Sequence, residues 1–303
     1  MKKTHGQITT ALKSEAKKQG QSPNDAYNQF FREVFLSELM QHQLGWVLKG
    51  GSNIYCRVPG ARHTKDLDLY RRYEPTSSIG AAEAMVDTMD GHRAGPYTFR
   101  VIRPERTSAV GTVDSERVKV RVIHGVNSEH CTFYVDVSGD LEVTGAVEHL
   151  EVPSSYQVET EFLPRSFRVF SYPVASQVAD KICAMYERHG ERPPGSASTR
   201  YHDLYDVALI ALELTVTAEE LRDALVAQCR VRDLTLPTSL ELPDDSWMVM
   251  YPATARNFGG KYRELEDLDE ALRVAGLLVN PVLSGDAEVS GCSWDHTALR
   301  WLE

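Results

Sequence analysis

Cysteine is scarce in this sequence, and the few present form no pattern. Cys56, Cys131, Cys183, Cys229 and Cys292 are widely spaced, odd in number and include no C-x-x-C pair. That excludes a disulfide scaffold and a zinc framework of paired cysteines, and it predicts reduced thiols in a cytoplasm. The N-terminal stretch MKKTHGQITTALKSEAKKQG lacks an apolar run of the length a signal peptide or a membrane span requires. A cytosolic chain, outside any membrane, is the expectation. An excess of positive charge is also missing. The formal net charge is -10, which favours solubility and disfavours indiscriminate adhesion to nucleic acid, without excluding a local basic site. No internal repeat or low-complexity tract stands out, which sets repeat architectures aside.

What is present is ordinary in bulk. The chain has 303 residues, 42% of them hydrophobic and 25% charged. That is enough to bury a substantial core in one large domain or two of ordinary size. A helix is expected over 6–19, ended by Gly20. Ser22 and Pro23 then read as an N-cap and first-turn proline. Tyr27, Phe30, Phe31, Val34, Phe35 and Leu39 follow at helical spacing, a core-facing stripe. Trp46 to Leu48 reads as a buried strand, Asp66 to Tyr70 as a second, and Ser77 or Ser78 as the cap of a helix over 79–91. Between 97 and 138 apolar and polar residues alternate at period two, as in Val118, Val120, Val122 and in Phe133, Val135, Val137. This predicts an antiparallel meander joining the first two strands in one sheet. Beyond about residue 172 the pattern turns helical. Pro173 suits a first turn, Gly190 an end, and 191–199 a polar loop. Tyr201 to Leu214 makes a helix, Thr217 and Glu220 a capping box for another, and Glu266 to Leu278 a further one. The expected fold class is α/β (α+β): residues 1–170 with a mixed or antiparallel sheet and flanking helices, then a mostly helical 171–303 completing a cleft.

Residues 47–70, VLKGGSNIYCRVPGARHTKDLDLY, concentrate the chemistry. On a strand, Asp66 and Asp68 project to one side while Leu67 and Leu69 pack on the other. Two carboxylates so placed repel unless a cation lies between them, and magnesium prefers such hard oxygen donors. A solvent-exposed strand face fits the same pair. Gly50, Gly51 and Ser52 precede a short expected helix, Asn53 to Arg57. Glycines let backbone approach a phosphate, and a helix N-terminus offers free N–H groups. Taken alone, a plain strand-to-helix turn is the simpler reading of these residues. There is no Walker A lysine at the required spacing and no dinucleotide fingerprint. Asp136 lies amid apolar alternation, where a charge is costly unless it is used. It reads as a third metal ligand or as a turn-adjacent aspartate.

Lys49-Gly50-Gly51-Ser52, the Arg62-His63-Thr64-Lys65-Asp66-Leu67-Asp68 run, Lys181 in YPVASQVADKICAMYERHG and His202-Asp203 in RYHDLYDVALIAL together resemble the AbiEii-type nucleotidyltransferase toxins of type IV toxin–antitoxin systems. These belong to the DNA polymerase β-like nucleotidyltransferase superfamily, and the mycobacterial toxins that block tRNA look similar. The resemblance runs from about residue 45 to about 215. Thirteen residues separate Ser52 from Asp66, which fits the superfamily motif. The resemblance implies that Lys181 contacts nucleotide phosphates and that Asp203 is essential. Thr64 stands where some relatives have serine, and Asp136 where some have glutamate.

The implied site is Asp66, Lys181 and Asp203 in catalysis; Gly50, Gly51, Ser52, Arg62, Lys65 and Lys181 around an NTP; and Asp66, Asp68 and Asp136 on one or two Mg2+ ions, with Mn2+ as a substitute. The resemblance implies transfer of NMP to the 3′ end of tRNA, release of pyrophosphate, growth arrest and a cognate antitoxin. The alternative is a small-molecule or protein acceptor for the same chemistry. Charge distribution is compatible with RNA: residues 49–72 carry a local +4 and 100–121 a local +3, while 241–303 carry -7.

Overall fold

The computed structural model describes residues 3–42, 45–62, 64–103, 114–126, 128–139, 141–190 and 195–303. His63, Glu105 and Arg106, named above or counted in the local charge, lie outside them, as do residues 191–194 of the polar loop.

Local signals set most element starts. Thr4 and Gln7 form a capping box ahead of α1 (His5–Lys18). Ser22 caps α2 (Pro23–Gln41), its side chain accepting from the Asp25 N–H, with Pro23 in the first turn. Strand β1 (Trp46–Lys49) runs straight into α3 (Gly50–Arg57). Then come β2 (Leu67–Arg71), α4 (Ser78–Met89) capped by Ser77, β3 (Arg93–Ala94), β4 (Tyr97–Ile102), β5 (Ser115–His124), β6 (Ser128–Ser138), β7 (Glu148–Pro153) and β8 (Ser166–Ser171).

These strands make one eight-stranded mixed sheet, in the order β3-β4-β5-β6-β2-β1-β8-β7. The meander of β4, β5 and β6 is antiparallel, as the alternation predicts. It joins β2 through a parallel pairing with β6, and β1 pairs antiparallel with β2 and parallel with β8. Phe30, Phe31, Phe35, Phe99, Val118, Val120, Phe133 and Val135 fuse the inner sheet face to the helical layer in one core. The alternation of buried valines with exposed or half-buried Arg117, Lys119 and Arg121 leaves the other face of β5 open to solvent.

The C-terminal part comprises α5 (Val174–Tyr186), β9 (Arg188–His189), β10 (Ser196–Ala197), α6 (Tyr201–Glu213), α7 (Ala218–Arg232), α8 (Trp247–Ala255), α9 (Leu268–Leu283), β11 (Ser293–Asp295) and β12 (Arg300–Leu302). Its core contains Ile182, Leu204, Val207, Leu221, Trp247, Leu278 and Trp294. Ile54, Val58 and Ala61, from α3 and the turn after it, belong to this second core. Helix α3 therefore links the sheet to the helical part. Buried Asn53 reinforces the link, donating to the Tyr172 carbonyl at 3.1 Å and to Gln177 at 3.3 Å.

Several boundaries differ from expectation. Helix α3 starts at Gly50, not Asn53, so the two glycines form its first turn. Asp66 lies in the bend before β2, outside the strand. Pro173 is the N-cap of α5, which ends at Tyr186 and gives way to β9, so Gly190 ends no helix. Helix α9 begins at Leu268 and runs on to Leu283. Strands β7 and β8 escape a local reading because their place beside β1 is a long-range pairing. Helix α8 escapes it because Met248, Val249 and Met250 are all exposed, so no apolar face repeats.

Gly139 closes β6 against the start of α4. A Cβ there would come within 2.0 Å of the Ser78 backbone nitrogen. Gly139→Ala must push α4 away, and we expect it to cost about 1–3 kcal/mol, read as a lower urea midpoint at unchanged slope.

Candidate active site

Strand register builds the centre. Lys49 on β1 pairs with Asp68 on β2, Asp68 with Asp136 on β6, and Asp136 with Arg117 on β5. A single row across four adjacent strands thus reads cation, acid, acid, cation. Asp66 enters from the bend beside this row. Arg117 Nη2 lies 2.7 Å from Asp66 Oδ2, and its Nε 3.5 Å from Asp136 Oδ1. Lys49 Nζ donates to Ser138 Oγ at 3.1 Å and lies 4.0 Å from Asp180 Oδ2.

The carboxylates are held at some cost. Burial raises the Asp68 pKa, and Lys49, Arg200 and Lys181 only partly oppose it. Burial and the charge of Asp68 push Asp136 up to about 6, with Arg117 pulling the other way. Gly50 abuts this centre. Its φ is +64°, and a Cβ on it would come within 2.0 Å of Asp68 Oδ2. Only glycine satisfies both the left-handed backbone and the approach. Gly51 is less confined, with Arg62 Nη2 and Thr64 Oγ1 at 3.3 Å from a Cβ placed there.

Ser52 is engaged within the protein. Its hydroxyl is buried and donates to the Asp66 carbonyl at 2.8 Å, with Thr64 Oγ1 donating to the same oxygen at 3.2 Å. Both hydroxyls fasten the bend that carries Asp66. Arg32, buried on α2, donates to the Lys65 carbonyl from below. The Lys65 side chain itself is exposed.

A second ionic cluster joins α5 to α6. Lys181 Nζ donates to Asp203 Oδ1 and to Asp206 Oδ2, both at 2.7 Å, and all three side chains are buried. Arg62 grips Asp206 with both Nε, at 2.7 Å, and Nη2, at 2.6 Å. Arg200 pairs with the other Asp203 oxygen. Burial alone would lower the Lys181 pKa, but Asp203 and Asp206 outweigh it and the net direction is up. Burial would raise Asp203, yet Arg200 and Lys181 hold it well below the usual carboxylate range. Arg200, Lys181 and Arg62 lie within Coulombic reach of Asp68, so the two clusters are electrostatic neighbours.

The structure therefore gathers Asp66, Asp68, Asp136, Gly50, Gly51 and the ionic group of Lys181 and Asp203. It places Arg62 and Lys181 in protein ion pairs. Sequence reading missed Arg117, Arg200 and Asp206. Asp206 was within reach, since it follows Asp203 by three positions on one helix and so shares its face. Arg117 needed the strand register.

Hard oxygen donors from three aspartates, with the backbone of Gly50 drawn against one of them, fit a divalent ion such as Mg2+. Among the described residues no three His, Cys, Asp or Glu side chains form a ready metal-holding group. Arg117 lies between two of the acids.

A family profile described as the nucleotidyl transferase AbiEii toxin of type IV toxin–antitoxin systems matches residues 34–274. The chain belongs to the AbiEii family. It is thus a nucleotidyltransferase toxin of the type IV class, which implies an NTP substrate and an antitoxin partner. Its fold is similar to that of MenT4, a nucleotidyltransferase toxin of Mycobacterium tuberculosis, with a TM-score of 0.54 and 17% identity over 96% of this chain and 99% of that one. A Helicobacter pylori protein, JHP933, aligns with a TM-score of 0.45 and 16% identity, over 89% of this chain and 96% of that one. No curated protein matches the chain. Among the described residues no helix is long and apolar enough to cross a membrane.

Two outcomes are expected of the α5–α6 cluster in this AbiEii protein. Lys181→Met leaves two buried acids without their shared ammonium and should cost about 3 kcal/mol; a loss below about 1 kcal/mol in urea unfolding would contradict the buried placement. His202, beside Asp203, is pushed by burial from 6.5 down to about 4. The folded chain then binds fewer protons than the unfolded one between those values, so His202 removes stability as pH falls from 6.5 to 4. His202→Gln should flatten that decline relative to wild type, a comparison that cancels the opposite contribution of Asp136.

Proposed function

We propose that the protein transfers NMP from an NTP to the 3′ hydroxyl of tRNA, using a divalent ion held by Asp66, Asp68 and Asp136. The observation that carries this reading is the row of Lys49, Asp68, Asp136 and Arg117 with Gly50 pressed against Asp68. The first turn of α3 lies beside the acids, which supports a reading in which its N–H groups receive phosphate and the carboxylates hold a cation. When bound, Mg2+ lowers the pKa of the attacking hydroxyl and neutralises charge on the α-phosphate and on the leaving pyrophosphate.

The chain's own groups do the rest by position. Gly50 and Gly51 let the β and γ phosphates approach the backbone. Ser52 and Thr64 keep the Asp66 bend in place from within the fold. Exposed Lys65 supplies a mobile positive charge for the triphosphate. Lys181, Arg62 and Arg200 together outnumber Asp203 and Asp206, so the α5–α6 cluster as a whole adds one net positive charge near the acids. No protein nucleophile is required, because positioning and charge neutralisation supply the rate. In this reading residues 1–170 form the catalytic part, and 171–303 complete the cleft.

An RNA acceptor is supported by the open sheet face next to Asp136. Lys119, Arg121 and Arg100 lie there across β5 and β4, and Tyr134 offers a ring for base stacking. Arg121 shares its charge with Glu129 and Arg100 with Asp90, so the strip is moderately basic.

The test is incorporation of label from α-phosphate-labelled NTPs into total tRNA with Mg2+. Wild type should label tRNA, and Asp68→Asn should lose about 10²–10³ in rate with no fall in melting temperature. Label in a small acceptor or in protein, with tRNA untouched, would select the other acceptor class. Equal labelling by Asp68→Asn and wild type would remove the cation site from the mechanism.

A further inference from the structure

We propose that Arg117 is a built-in counter-ion of the carboxylate cluster, which an incoming divalent cation displaces from between Asp66 and Asp136. The inference deepens the reading of Asp66, Asp68 and Asp136 as a cation site and rests on it. It is independent of the acceptor.

Geometry carries it. Asp68 and Asp136 are direct register partners on parallel strands, and Asp66 stands beside them. Three acids at such separation repel one another strongly in a half-buried site. Lys49 lies opposite Asp68 on the β1 side, while Arg117 lies opposite Asp136 on the β5 side. Of the two cations, only Arg117 bridges two carboxylates, at 2.7 Å and 3.5 Å. The planar guanidinium occupies the space between Asp66 and Asp136, where a shared ion would lie.

Arg117 is also built to leave. Its side chain is 43% exposed and the two acids are 34% and 33% exposed. Ion pairs this solvated are weak and do not lock the side chain in. The guanidinium carbon lies 4.7 Å from the centre of the Tyr134 ring, which projects from β6 two residues before Asp136. Displaced from the acids, the cation retains this ring as a partner and stays at the rim of the cleft, on the basic strip of β5. Buried Lys49 has no comparable exit.

The consequence is competition between one arginine and the divalent ion. The test uses the full chain without NTP, titrated with Mn2+ and followed by the loss of the free-ion electron paramagnetic resonance signal. Parallel melting curves are recorded with and without Mg2+. Arg117→Gln should bind Mn2+ about tenfold more tightly than wild type, since no guanidinium need be displaced. It should also melt lower than wild type without Mg2+ and gain more on its addition. Arg117→Lys, a point charge that cannot bridge both acids equally well, should fall between, and it covers the case in which the glutamine variant folds poorly. Unchanged or weaker Mn2+ binding in both variants, with binding abolished by Asp68→Asn, would overturn the role of Arg117 and leave the cation site standing. Mn2+ uptake indifferent to Asp68→Asn would overturn both.

Discussion

Repulsion among three neighbouring carboxylates is the constraint on which the rest of this structure depends. Asp68 and Asp136 are brought side by side by a parallel pairing, and Asp66 is fastened next to them. Such a grouping raises the energy of the fold unless positive charge is close. The neighbourhood supplies it as Lys49 and Arg117 in the same row, and as Lys181 and Arg200 from the helical part. Each compensating cation comes from a different element. The sheet order, the α3 junction and the docking of α5 and α6 are all needed to deliver them. Placing charge where only a ligand neutralises it fully is a recurrent property of functional sites.

Much of the fold was legible because its signals are local. Ser22, Ser77 and the pair Thr217 and Glu220 cap the helices they were expected to cap. The alternation around Val118 and Phe133 makes the expected meander, since period two with one apolar face is what a half-buried antiparallel strand requires. What could not be read was long-range pairing. Nothing within Ser166 to Ser171 says that it lies beside β1, and nothing in Leu67 to Arg71 says that its other neighbour is β6 in parallel.

The site divides the same way. Gly50 and Asp68 were found as motif elements, yet their contact is a fact of tertiary structure, as is the register that sets Arg117 against Asp136. Ser52 and Arg62 show the limit from the other side. Both residue types suit phosphate binding, and both are engaged within the protein, one with the Asp66 carbonyl and one with Asp206. Residue type identifies a capability. Burial and partners decide whether it is turned outward.

Arg32 carries a consequence of another kind. It is buried on α2, among residues of the core beneath the sheet, and it holds the Lys65 carbonyl immediately before Asp66. The position of Asp66 is therefore referred to the packing of a helix on the far side of the sheet. A substitution in the core around α2 therefore reaches the Asp66 bend through Arg32, without touching the strands that carry Asp68 and Asp136.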